Sequence, residues 1–119
     1  MLKRIAFATV PVADQKRALE FYTKKLGCKV FTDQPMGDSR WIELQLGKAE
    51  TRIVLFQDPA RAGKNEVPAL ALVADNVQKT YEELRERGVE FEAPPKKEPW
   101  GESVLFADSE GNKIHFTGE

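Results

Sequence analysis

The sequence predicts an α+β fold built from two copies of one strand-helix-strand-strand-strand module, on three observations. Val12-Ala13-Asp14 recurs as Val73-Ala74-Asp75, 61 residues further on. A glycine closes the helix-like segment after each copy, Gly27 and Gly88, 13 residues beyond the aspartate in both. A turn of related wording then follows, Gln34-Pro35-Met36-Gly37 in one half and Glu98-Pro99-Trp100-Gly101 in the other, now 64 residues apart. A period of this length marks a repeated supersecondary unit and takes precedence over the reading of single elements.

The first half opens with a strand over residues 5–10. Asp14 stands at the N-cap or first turn of the first helix, where an acidic side chain satisfies free backbone N–H groups, and Gly27 lies just past its end. Within it Ala18, Leu19, Phe21, Tyr22 and Leu26 form an apolar stripe opposite Lys16, Arg17, Glu20, Lys24 and Lys25. Strands are expected over 28–31, 40–46 and 51–57, the last two joined by the tight Gly47-Lys48-Ala49-Glu50 turn. Residues 58–67, with Pro59 and Gly63, read as a surface linker.

The second half repeats the pattern, with a strand over 69–73 and a helix between Asp75 and Gly88. That helix sets Val77, Thr80, Tyr81 and Leu84 against Glu82, Glu83, Arg85 and Glu86. Strands are expected over 89–91, 103–107 and 112–117, the last two joined by Asp108-Ser109-Glu110-Gly111. The three-residue drift of the repeat is assigned to a Pro94-Pro95-Lys96-Lys97 loop, and Ile53 and Ile114 return the spacing to 61. The expected organisation is one domain over 1–119, with module 1 at about 1–57, the linker at 58–67 and module 2 at about 68–119. Each half alone is too small to be comfortably stable, so pairing of the two is the expected source of the core.

Composition narrows the function. The 119 residues are 41% hydrophobic and 31% charged, the balance of a globular protein, and no apolar run reaches the roughly 18 residues of a membrane helix. The start, Met1-Leu2-Lys3-Arg4-Ile5, lacks a signal-peptide pattern, so a cytoplasmic location and no membrane partner are expected. A net charge of −1 with interspersed signs offers no phosphate-binding footprint, which argues against nucleic acid. One cysteine and one histidine exclude intrachain disulfides, multi-cysteine metal clusters and sites with two or three histidines from one chain.

The wording of these elements resembles the vicinal oxygen chelate superfamily, which contains glyoxalase I, the bleomycin- and fosfomycin-resistance proteins and extradiol dioxygenases. The resemblance rests on Val10-Pro11-Val12-Ala13-Asp14, on Ala18-Leu19-Glu20-Phe21-Tyr22 followed by Leu26-Gly27, and on Phe106-Ala107-Asp108-Ser109-Glu110-Gly111-Asn112. It covers nearly the whole chain. It implies two paired βαβββ modules whose curved mixed sheets enclose a concave pocket, usually in a homodimer, with the modules pairing within a chain or by exchange. Metal-dependent members place four ligands drawn from His, Gln and Glu on the first and last strand of each module. Carried over, those positions are Phe7, Val54, Ala69 (or Pro68 in the literal Val-Ala-Asp register) and His115. Three of the four have no donor atom, whereas catalytic metal sites need about three protein ligands. No metal and no cofactor are therefore expected, and the apolar replacements suit a pocket for an organic molecule.

Strand alternation assigns Ile5, Phe7 and Thr9, then Trp41, Glu43 and Gln45, then Arg52, Val54 and Phe56, and finally Lys113, His115 and Thr117 to the pocket face. Trp100, on a turn, is expected at the lip. The ligand-binding set is thus Phe7, Thr9, Trp41, Glu43, Gln45, Val54, Phe56, Trp100 and His115. The tryptophans suit ligand stacking or a plug at a sheet or dimer contact equally. Cys28 reads as packing.

The leading expectation is metal-independent binding of a small molecule, as in the drug-sequestering members of the superfamily. The alternative is a metal-independent isomerase or lyase using Glu43 and His115 as catalytic acid and base. A metal-dependent lyase or dioxygenase would need His115 with Glu43 and Gln45. A purely structural dimerisation module would fill its own pocket.

Overall fold

A computed structural model describes residues 1–119, which divide into two compact units, 1–62 and 63–119. The first runs β1 (Phe7–Val12), α1 (Gln15–Glu20) continuing as a π turn (Phe21–Lys25), β2 (Lys29–Met36), β3 (Ser39–Gln45) and β4 (Arg52–Gln57). The second runs β5 (Ala71–Ala74), α2 (Val77–Glu86), β6 (Glu90–Phe91), β7 (Lys96–Glu98), β8 (Gly101–Ala107) and β9 (Lys113–Gly118). The α+β class and the repeated module are as the sequence predicts.

Each unit holds a mixed sheet. In the first the order is β1-β4-β3-β2, with β1 parallel to β4 and the other neighbours antiparallel. In the second it is β5-β9-β8-β6, with β7 also on β8 and with β5 parallel to β9. The parallel pair in each sheet is its module's first and last strand. A helix and two strands lie between them in the first unit, and a helix and three strands in the second, enough chain for the crossover that parallel strands require.

Alternation explains which face of each sheet is covered. Val10 and Val12, Ile42 and Leu44, and Ile53 and Leu55 are buried with Ala18, Phe21 and Tyr22 of the helical segment. Burying a side chain of this size contributes about 1.5–3 kcal/mol. Gln15, the first helical residue, is also buried: its Nε2 donates to the carbonyls of Leu55 (2.9 Å) and Arg40 (2.6 Å), and its Oε1 accepts from the Arg40 N–H at 3.0 Å. One side chain therefore ties α1 to β3 and β4. In the second unit, Tyr81 and Leu84 of α2 are buried with Val104, Phe106, Ile114 and Phe116. There Phe91 packs against Tyr81 (4.8 Å between ring centres), Phe106 (6.0 Å) and Phe116 (6.4 Å).

Several boundaries differ from the expectation. The first strand begins at Phe7 and runs on through Pro11 to Val12, leaving Ile5 outside and exposed. The expected Gln34-Pro35-Met36-Gly37 turn lies mostly within β2, since Pro35 needs no ladder N–H on this edge strand. The second helix is capped by Asn76, whose side chain accepts from the Lys79 N–H at 3.0 Å, rather than started by Asp75. Lys96 and Lys97, expected in a loop, pair with Ser103 and Glu102. The interruption between β6 and β7 sits at 92–95, where two consecutive prolines cannot donate to a ladder.

The motif Asp108-Ser109-Glu110-Gly111-Asn112 forms the tight turn between β8 and β9. Asp108 Oδ1 accepts from the N–H groups of Glu110 and Asn112, both at 2.9 Å, and Asn112 Nδ2 donates to Asp108 Oδ2 at 3.0 Å. Asn112 is fully buried, and its Oδ1 accepts from the Gly63 N–H at 2.8 Å. The family-like wording here encodes a turn and an anchor for the chain entering the second unit.

Candidate functional site

The face of the first sheet turned away from α1 carries most of the expected site. Phe7 and Thr9 come from β1, Arg52, Val54 and Phe56 from β4, and Trp41, Glu43 and Gln45 from β3, on the side opposite Val10, Ile42, Leu44, Ile53 and Leu55, which are buried toward the helix. Thr9 and Glu43 are the lateral neighbours of Val54 on its two sides, so Val54 is the centre of this face and is fully buried. Around it, Phe7 meets Trp41 edge to face, with ring centres 5.4 Å apart and planes at 83°. The Trp41 indole Nε1 donates to Glu43 Oε1 at 2.8 Å, which holds the ring in one orientation. Phe7 and Phe56 keep 41% and 37% of their surface exposed, which leaves apolar area free for contact. Gln45 is turned to the adjacent turn, its Nε2 donating to the Ala49 carbonyl at 3.3 Å.

Phe31 joins this face unannounced. The β2–β3 register shifts between Val30 and Thr32, a bulge that leaves Phe31 without a partner across the ladder. Its ring stacks on the Arg52 guanidinium, 3.8 Å from the ring centre. Strict alternation along β2 gives no warning of this, because a one-residue bulge has no signature in hydrophobic pattern alone. Arg52 is placed as the alternation of β4 predicts, although it was not among the expected ligand-binding residues.

His115 and Trp100 belong to the second unit. His115 lies mid-sheet on β9, between Ala71 of β5 and Leu105 of β8. Trp100 stands on the β7–β8 turn, 63% exposed, its ring centre 6.2 Å from that of His115. It also borders an open cleft of about 480 Å³ with Asp75, Asn76, Glu102 and Thr117. Glu43, the other half of the expected acid/base pair, belongs to the first unit and is engaged by Trp41.

The strand registers decide one alternative. Val54 pairs laterally with Thr9, two residues beyond Phe7, and His115 pairs with Ala71, two beyond Ala69. Ala69, not Pro68, is therefore the counterpart of Phe7. Phe7, Val54 and Ala69 supply no donor, and no group of three His, Cys, Asp or Glu side chains that could hold a metal is assembled in the chain. The residues at these positions do not fit the four-ligand ion of metal-dependent relatives. Cys28 is buried, and burial pushes its thiol up to about 11, so it packs rather than reacts.

A mixed-sheet module occurring twice, its first and last strands paired in parallel, defines a glyoxalase-like fold. The chain belongs to the Glyoxalase/Bleomycin resistance protein/Dioxygenase superfamily, whose family model matches residues 4–116. It is 35% identical over 114 residues to the uncharacterized protein YetH of Bacillus subtilis (strain 168), covering 94% of this chain and 95% of YetH. Among solved structures it is similar to TnmS3, an antibiotic binding protein from Streptomyces sp. CB03234, with a TM-score of 0.87, 32% identity and coverage of 98% and 96%. It is also similar to a superfamily member from Sphaerobacter thermophilus DSM 20745, with a TM-score of 0.85, 28% identity and coverage of 99% and 98%. No helix is long and apolar enough to cross a membrane.

Proposed function

We propose that this protein binds a small organic molecule on the aromatic face of the first sheet, without a metal ion. The observation that carries the reading is the Phe7–Trp41 pair, with its indole fixed by Glu43 beside a donor-free Val54. Rigid aromatic surface next to a few placed polar groups suits a flat, largely apolar ligand. The likeness to an antibiotic binding protein at 32% identity supports the same class of ligand. In this reading Glu43 is a positioning residue for Trp41, and catalysis by Glu43 and His115 is not needed. The one-domain organisation, with modules 1–57 and 68–119, and a homodimer go with the proposal, and light scattering on the purified protein tests the dimer.

The test is calorimetric titration of chelator-treated protein with a panel of polycyclic aromatic antibiotics. The expected result is micromolar or tighter binding of at least one compound, lost about tenfold or more in Phe7→Ala and Trp41→Ala. Binding that requires added zinc, or that survives both substitutions unchanged, overturns the proposal.

A further inference from the structure

Arg52 is the cation that β4 places on the aromatic face, and its hydrogen-bonding capacity is only partly used. One guanidinium nitrogen, Nη1, donates to the Glu50 carbonyl at 2.6 Å. Nε is shielded from solvent and has no partner, and Arg52 enters no ion pair. Nη2 makes no hydrogen bond and is open to solvent, so it is the nitrogen that a carboxylate oxygen can reach in a charge-assisted bond.

Position adds to this. Arg52 is the lateral neighbour of Phe7, which contacts Trp41, and its own plane lies on Phe31. Stacking on a ring leaves the in-plane edge of a guanidinium available for hydrogen bonds. At the same end of the sheet Arg52 borders an open polar cleft of about 270 Å³ with Arg4, Gln45, Lys48, Ala49 and Glu50, where three cations meet one carboxylate. The acidic group on the face itself, Glu43, neighbours Val54 rather than Arg52 and is occupied by the Trp41 indole.

We propose that Arg52 makes this face selective for aromatic compounds that carry an acidic group, the ring lying on Phe7 and Trp41 and the anion meeting Arg52 at the basic end. This rests on the binding role proposed above and specifies the ligand class. Arg4 and Lys48 raise the local anion concentration, and Arg52 makes the directed contact.

The experiment uses three probes of one ring size with the full chain at low salt: 2-naphthoate, 2-naphthamide and 2-naphthylmethylamine. Naphthoate is expected to bind at least tenfold tighter than the amide, with the amine weakest. Arg52→Gln should bring naphthoate down to the affinity of the amide and leave the amide within about twofold. Arg52→Lys, which keeps the charge and loses the planar edge, should recover only part of the preference. Equal binding of naphthoate and amide by the unaltered protein overturns the proposal while leaving aromatic binding intact. Binding of none of the three, alongside failure of the antibiotic panel, overturns both. Because the decisive comparison is made on the unaltered protein, a variant that fails to fold does not shield the idea from refutation.

Discussion

Trp41 and Glu43 sit two residues apart on one strand, and the indole of the first donates to the carboxylate of the second at 2.8 Å. The two side chains share a face because strand neighbours alternate, and the carboxylate thereby fixes a large ring that would otherwise choose among rotamers. Glu43→Gln retains an oxygen acceptor and should keep Trp41 emission near its original maximum in a Trp100→Phe background. Glu43→Ala should shift that emission to the red and lower stability by about 1 kcal/mol. An unchanged spectrum in Glu43→Ala would show that the indole is held by packing alone.

Gln15 makes a different kind of bond, from a helix to two strands, using both ends of one amide. Gln15→Ala leaves the Arg40 N–H and the Leu55 carbonyl without that partner, and loss of such buried bonds should cost about 2–3 kcal/mol in urea unfolding. Gln15→Glu should also destabilise, since a carboxylate cannot donate to those carbonyls.

Asn112 and Gly63 form a second long-range lock. A Cβ at Gly63 would lie 2.7 Å from the Glu110 carbonyl oxygen, and the backbone there has φ +74°, so Gly63→Ala meets both a clash and a strained conformation. Either Gly63→Ala or Asn112→Ala should lower stability by about 2 kcal/mol. The double variant should cost less than the sum, because the backbone shift that Gly63→Ala forces already weakens the Gly63 N–H bond that Asn112→Ala removes. Additive losses would show that the two residues act independently.

Cys28 gives a pH signature. Burial disfavours the thiolate and pushes the thiol up to about 11 in the fold, from 9.0 for an exposed cysteine. The unfolded chain therefore holds fewer protons than the native one between these values, and stability falls as pH rises from 9 to 11. The full change is on the order of 2–3 kcal/mol. Cys28→Ala should start lower, from the lost packing, and show a shallower decline over that window in urea titrations. Fast labelling of the native thiol by a thiol reagent at pH 8 would contradict the buried state.

The modules and the face of each strand were legible because burial follows a period of two along β4 and β3: Ile53 and Leu55 inside, Arg52 and Phe56 outside. Val54 shows where that rule stops. It lies on the outer face and is still fully buried, because the central strand is walled by neighbours that periodicity does not see. The bulge at Phe31 was hidden for a related reason: register depends on the partner strand, and β2 alone does not record it. Gln15 is by residue type an ordinary polar side chain in a first helical turn, and only the approach of β3 and β4 reveals its buried bonds. The family-like positions on the first and last strands were readable as residue types, whereas the cap at Asn76, one residue past the repeated Val-Ala-Asp, was obscured by the literal match.

The π turn at Phe21–Lys25 gives that one-residue discrepancy a physical location. From cap to closing glycine, Asp14 to Gly27 contains one residue more than Asn76 to Gly88. A π turn takes up one residue more than an α turn while keeping the chain helical, and the Leu26 N–H here reaches back five residues to the Phe21 carbonyl. The Thr23 hydroxyl donates to the Leu19 carbonyl at 2.7 Å, within the widened stretch. The length difference between the two halves is thus stored inside a helix, where it displaces neither the strand before it nor the strands after it. The face of the sheet can in this way tolerate an inserted residue that, in a strand without a bulge, would have turned its side chains inside out.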